Sequence, residues 1–294
     1  MITRFDHAVI AVRDLDAAIS AYLALGFEVS PGGRHTGLGT YNAIIRFGLD
    51  YIELLSVYDR VEAEQGRGLS GKALLNFFEK QEGGLVGYAL ATDDIEQEAQ
   101  RFLHTGLQAQ GPFAMQRMRP DGRLLCWSLL VPGGVPWRRP WPFFIHWGVP
   151  DEQRLAWEKP GAHANGVVSW TGISVGVQNL ESAIDLYQRQ IGLAPSHSDD
   201  MPALAARRAT FRVGPASIEL LAPVGQGPVQ YLLATAGEGP FEVRLAVRDL
   251  NQMRAFFTQR GLPFTPPLTD PSALVLGPEQ AVGARLVLMQ QARG

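Results

Sequence analysis

Three side chains carry the chemistry that this sequence can offer. His7 sits in the apolar run 5–12, Glu53 in Tyr51-Ile52-Glu53-Leu54-Leu55, and His146 in Phe143-Phe144-Ile145-His146-Trp147. Each run reads as a strand, along which successive side chains point to opposite faces. Alternation therefore sets His7 opposite Ala8, Ile10 and Val12, Glu53 opposite Ile52 and Leu54, and His146 opposite Ile145 and Trp147. If the three strands converge, two imidazoles and a carboxylate with open coordination positions suit Fe(II), Mn(II), Ni(II) or Zn(II). Such an ion polarises a carbonyl, holds an enediolate, or activates oxygen or water. The same residues also fit a plainer arrangement, with His7 a satisfied strand histidine and Glu53 and His146 an ion pair that avoids an unpaired buried charge.

Other side chains are candidates for gripping a substrate. Asn42 and Arg46 share one face of the run 41–47, and with Arg123 they offer charge-assisted bonds to a carboxylate or carbonyl; an arginine near a strand end also commonly just reaches solvent. Trp127, Trp141 and Phe144 are either walls of an apolar pocket or core. His35, in the glycine-rich stretch 32–39, is either a substrate contact at the pocket mouth or a turn residue. That stretch is no phosphate loop, because it lacks a lysine at the Walker spacing and runs into a strand rather than a helix. Cys126 is the sole cysteine and cannot close an internal disulfide; it reads as a small buried hydrophobe.

What must position these groups is a pattern met four times. Val12-Arg13-Asp14-Leu15 lines up with Thr92-Asp93-Asp94-Ile95, Val177-Gln178-Asn179-Leu180 and Val247-Arg248-Asp249-Leu250. An aromatic follows as Tyr22, Phe102, Tyr187 and Phe257, then a glycine as Gly26, Gly106, Gly192 and Gly261, and only the third copy needs an extra residue to keep step. In each copy an alternating apolar strand ends at an Asp or Asn suited to cap a helix. Ala17, Ala18, Ala21, Tyr22 and Leu25 then give a face of helical period, and Gly26 a left-handed stop. Alternation and Gly/Pro punctuation add three strands, so the unit is βαβββ, used four times in an α+β chain. A helix-friendly connector covers 61–83, a hairpin is expected around Pro120-Asp121-Gly122, and the polar stretch 150–166 reads as the boundary between halves 1–150 and 167–294.

The chain has 294 residues, 46% apolar and 19% charged, with a net charge of −3, which suits a soluble globular protein of about two domains. So small and mixed a charge gives no reason to expect nucleic acid or an anionic membrane as partner. Neither a membrane span nor a signal-peptide layout is legible, and a cytoplasmic location is expected.

The opening FDHAVIAVRDL, its paired repetition and the IELL strand with its Glu resemble the glyoxalase/bleomycin-resistance/extradiol-dioxygenase superfamily, also called vicinal oxygen chelate. The stretch GGRHTGLGTYNAIIRFG and the FFIHW strand further resemble its glyoxalase-like branch. The resemblance implies two paired modules, each with a cup-shaped, mostly antiparallel mixed sheet and a divalent metal held by the first and last strands of each unit. Carried over, His7, Glu53 and His146 are metal ligands, with the Glu53 carboxylate or a metal-bound water as base, while the fourth position falls on Gly87. In the second pair the positions are Gly172, Glu219, Glu242 and Val287, a degenerate set that reads as structural or as a metal-free pocket. The implied function is a metal-dependent lyase, isomerase or dioxygenase acting on a small oxygen-bearing substrate, with His35, Asn42, Arg46, Arg123 and Trp127 as substrate contacts. The alternative is a metal-free protein that binds or sequesters a small molecule, as bleomycin-resistance members do. Since four units complete both cups within one chain, a monomer suffices, and a homodimer is also compatible.

Overall fold

The computed structural model describes residues 1–66, 70–119 and 122–292. In the N-terminal half, β1 (Ile2–Val12) leads through α1 (Leu15–Ala24) to β2 (Ser30–His35), β3 (Thr40–Arg46) and β4 (Tyr51–Val57). Helices α2 (Arg60–Gln65) and α3 (Ser70–Phe78) occupy the expected connector. They are followed by β5 (Gly83–Thr92), α4 (Ile95–Leu103), β6 (Ala109–Met118), β7 (Leu124–Pro132) and β8 (Phe143–Trp147). These strands make one curled sheet in the order β2-β3-β4-β1-β5-β8-β7-β6. Within it β1–β4 and β5–β8 run parallel, and β1 and β5 join the two units antiparallel. Strands β6 and β7 pair as a hairpin from Met118↔Leu124 onward, but the expected turn residues Pro120 and Asp121 lie outside the described residues.

The stretch 150–166 is more than a polar boundary, because it holds α5 (Asp151–Trp157), whose Arg154 is completely buried. Beyond it come β9 (Val167–Gly176), α6 (Leu180–Leu186), β10 (Pro195–Met201), β11 (Ala206–Val213) and β12 (Ala216–Pro223). Then follow α7 (Pro228–Ala236), β13 (Gly239–Val247), α8 (Leu250–Gln259), β14 (Leu274–Leu276) and β15 (Leu286–Gln290). The second sheet has the order β10-β11-β12-β9-β13-β15-β14. Among the described residues, α8 is followed by two strands and one isolated Thr265–Val275 bridge instead of three strands.

Local chemistry explains the helices. Asp14, Asp94, Asn179 and Asp249 each accept a backbone N–H from the first turn that follows, satisfying groups that no intrahelical carbonyl can reach. Gly26, Gly192 and Gly261 adopt left-handed φ values of 84°, 82° and 64°. The extra residue of the third copy is absorbed in a π-helical turn, Tyr187–Ile191, between α6 and Gly192.

The helix-facing sides of both sheets share one apolar core containing Ile10, Tyr22, Tyr88, Phe102, Trp170, Tyr187, Leu245 and Phe257. Phe5 stacks on Trp170 at 4.3 Å, and the Tyr22 hydroxyl donates to the Ala281 carbonyl at 3.1 Å. Burial of each such ring contributes roughly 1.5–3 kcal/mol, so the two halves are held together by core packing rather than by a surface contact. The opposite face of each sheet remains open as a cup. No helix among the described residues is long and apolar enough to cross a membrane.

Candidate functional site

The parallel pairing of β1 with β4 sets His7 beside Tyr51 and Val9 beside Glu53. Ala8, Ile10, Ile52 and Leu54 go into the core, and His7, Tyr51 and Glu53 turn to the cup. There they form part of the floor of a cavity of about 110 Å³ walled by Phe113, Trp127, Trp137, Phe143 and Trp147. His7 stacks on Tyr51 at 4.7 Å and meets the edge of Phe143 at 5.4 Å.

Asp6 decides how the His7 ring is used. The β1–β5 register shifts between Phe5 and His7, and such an irregularity re-aims a side chain. Asp6 Oδ1 lies 2.7 Å from His7 Nδ1, while its Oδ2 accepts from Arg4 Nη1 at 2.7 Å and Trp147 Nε1 at 2.9 Å. Complete burial would raise the Asp6 pKa, but Arg4, the His7 hydrogen bond and Arg154 outweigh it and hold the carboxyl well below the usual range. An ionised acceptor at Nδ1 orients the imidazole and turns Nε2 toward the cup, 3.7 Å from Glu53 Oε2.

A second polar string runs from Glu53 toward the edge strands. Asn42 Nδ2 donates to Glu53 Oε1 and lies 3.2 Å from His35 Nε2, and His35 Nδ1 lies 2.9 Å from Thr40 Oγ1. Arg117 Nη1 donates to Asn42 Oδ1 at 3.0 Å. Burial lowers the His35 pKa to about 4, with Glu53 opposing and Arg117 and His7 adding to the shift, so the ring is neutral at neutral pH. A Cβ at Gly32 would collide with the Asn42 amide and the Arg117 guanidinium; the glycine lets backbone and side chains meet there.

The expected residues thus divide. His7, His35, Asn42, Glu53 and Trp127 line one cavity. The structure does not bring His146 to them. Ala89 holds the place of Val9 in the second unit and pairs with Phe143, so Phe143 stands where Glu53 stands, and His146 is an odd number of residues further on. Phe143, Ile145 and Trp147 face the cavity, whereas His146 lies on the other side, with its Nδ1 3.0 Å from the Thr92 carbonyl oxygen. Arg46 also lies elsewhere: its guanidinium lies over the Tyr51 ring and pairs with Glu158 at 3.0 Å. Arg123 stacks on Trp157 at 5.0 Å. Phe144 belongs to the core, Trp141 packs against that core, and Cys126 is exposed rather than buried. Asp6, Tyr51, Arg117 and Trp137 escaped the sequence reading. Asp6 had a signal, being an acid next to the candidate histidine, whereas Arg117 sits in a strand whose partners alternation does not reveal.

The donors do not fit a divalent metal of the expected kind. His146 faces away, a Cβ at Gly87 would stand 3.0 Å from the Trp137 ring that covers it, and His35 Nε2 is engaged by Asn42. Among the described residues no group of three or more His, Cys, Asp or Glu side chains is set to hold an ion.

The second cup is built from different pairs. Glu219, opposite Ser174 on β9 as Glu53 is opposite Val9 on β1, pairs with Arg244 Nη1 and with Arg208 Nη1 at 3.3 Å. Glu242 takes Arg285 Nε at 2.8 Å and the Ser174 hydroxyl at 3.1 Å. A side chain at Gly172 would strike the Ser217 carbonyl oxygen and the Arg244 guanidinium. Val287 packs with Ala273 and Val275.

With this geometry in hand, comparison places the chain. The profile described as "Glyoxalase-like domain" matches residues 5–191, and the chain belongs to that family. Two solved structures are similar along essentially its whole length. A hypothetical protein from Staphylococcus aureus is 17% identical, with 98% of this chain and 99% of that one covered and a TM-score of 0.69. A mutant of 4-hydroxymandelate synthase from Streptomyces coelicolor is 15% identical, with 100% and 94% covered and a TM-score of 0.63. Among curated proteins none matches. At these identities the likeness to solved structures shows the fold alone and leaves the chemistry to the site.

Proposed function

We propose that the N-terminal cup binds a small, mainly apolar molecule by one oxygen-bearing head and exchanges a proton with it through His7 and Glu53. The observation that carries this reading is the cavity itself. It sets the Nε2 of an Asp6-anchored histidine 3.7 Å from a carboxylate, at the floor of an aromatic enclosure. Apolar walls with a few converging polar groups are how small-molecule sites are built. In this reading His7 Nε2 accepts the proton, Asp6 stabilises the imidazolium, and Arg117, held on Asn42, offsets negative charge that develops on the ligand.

The test has two arms. Quenching of the fluorescence of Trp127, Trp137 and Trp147 by benzoate and acetophenone reports binding. Deuterium uptake at the carbon next to the carbonyl of phenylacetaldehyde, followed by NMR in D₂O, reports proton transfer. His7→Gln is expected to abolish catalysed uptake while leaving quenching largely intact. Binding without uptake in the wild-type protein reduces the cup to a sequestration site. Stoichiometric transition metal in the purified protein, lost on His7→Ala with folding retained, overturns the reading in favour of a metal-dependent enzyme.

A further inference from the structure

Beside the cup, near α5, a cleft of about 270 Å³ is lined by Arg46, Arg117, Arg119 and Lys159 against two carboxylates, Glu28 and Glu158. Both carboxylates are committed. Glu158, wholly buried, receives Arg46 Nη2 at 3.0 Å, Arg119 Nη1 at 3.3 Å and, from within α5, Arg154 Nη2 at 2.6 Å. Glu28 Oε2 accepts the Ala162 backbone N–H at 2.8 Å. Four cations thus face two occupied acids, in a protein whose net charge is −3. Two buried guanidinium atoms of the lining residues, Arg46 Nη1 and Arg117 Nε, have no hydrogen-bond partner. An orphaned buried donor carries the full desolvation cost of the group, and a cationic one more, so the lining residues Arg46 and Arg117 are incompletely neutralised. Gly32 and Gly161 also line the cleft, so no side chain from either position fills it.

We infer that this cleft is an oxyanion site, with a phosphate group as its ligand. The several acceptor oxygens of a phosphate dianion suit guanidiniums approaching from more than one strand, with Lys159 beside them. The site is separate from the proton-transfer reading of the cup, and either can fail without the other. Arg117 alone belongs to both, lining cleft and cavity.

Isothermal titration of the full-length protein with inorganic phosphate in low-chloride buffer tests this, with sulfate as a second dianion and glycerol 3-phosphate as a phosphomonoester. Arg119→Gln combined with Lys159→Gln removes the two outer cations and leaves Glu158 on Arg46 and Arg154. The double variant is expected to bind phosphate about tenfold or more weakly, the loss of one to two charge-assisted bonds. Arg207→Gln, on the surface of the other half, is expected to change nothing. Tighter binding of glycerol 3-phosphate than of phosphate assigns the site to a phosphorylated metabolite, and equal binding to the free ion. Should the double variant not fold, Lys159→Gln alone, at an exposed position, is expected to weaken binding measurably. Absence of phosphate and sulfate binding, or affinity unchanged in a folded variant, overturns the proposal.

Discussion

In the first cup Glu53 faces an imidazole nitrogen and an amide; in the second, its counterpart Glu219 faces two guanidiniums. The two carboxylates hold equivalent places on equivalent strands, so their difference comes entirely from neighbours. A carboxylate held by a single amide keeps lone pairs for a ligand, whereas one gripped by two arginines has spent them on holding the sheet. The glycines tell the same story. Trp137 covers Gly87 and adds an apolar wall to the first cup, while Arg244 covers Gly172 and adds an ion pair to the second.

The contrast can be broken most forcefully beneath the first cup. Arg154 is wholly buried, lies 3.6 Å above the Trp147 ring and contacts Glu158 and Asp6. Arg154→Met is expected to destabilise by about 3–5 kcal/mol in urea unfolding, since it leaves buried carboxylates short of charge. Arg244→Met is expected to cost less, because Glu219 keeps Arg208. Equal costs would mean that the buried network beside the first cup is no different from the ion pairs lining the second.

Acid is the next lever. The His35 pKa is lowered to about 4 from an ordinary 6.5, so between those values the unfolded chain binds the proton and the native state does not. Stability is therefore full above about pH 6.5 and falls as pH drops toward 4, by about 3 kcal/mol in total. His163 shifts the same way through burial, and Asp6, whose pKa is depressed, gives up its contribution only at lower pH still. His35→Gln is expected to flatten most of this slope in urea midpoints measured from pH 7 to 4; an unchanged slope would show that the His35 ring is not held neutral.

The smallest effect probes the two covered glycines. Gly172→Ala drives a methyl into a backbone oxygen and is expected to cost about 1–3 kcal/mol. Gly87→Ala meets chiefly the Trp137 ring and the Pro136 carbonyl at 3.0 Å, and is expected to cost less in thermal unfolding. The reverse order would show that the first cup is the more tightly filled of the two.

Much of this architecture was legible residue by residue. The four capping side chains, three of the four expected left-handed glycines, and the apolar parity of β1 and β4 follow from local rules that act within a few residues. Even the extra residue of the third copy announced itself, and the chain stores it as a π turn. His7, Glu53 and Asn42 were likewise traceable, because alternation separates them from the apolar side of their strands, whereas His35 and Trp127 each stood open between two readings. His146 was misplaced for a tertiary reason. Matching IEL to IHW by letter ignored the pairing of β5 with β8, and a displacement by an odd number of residues turns a strand side chain to the other face.

The sequence by itself determined strands, helices, caps and which residues each strand could offer, since those depend on backbone sterics and periodicity. Only the tertiary structure decided which offers meet. Asp6 reaches His7 through a register shift, Arg117 reaches Asn42 across the closing edge strands, and Arg154 reaches Asp6 from a helix the polar composition of 150–166 concealed. Each of these contacts joins residues on different elements or uses an irregularity in pairing, and a local pattern contains no record of such partners.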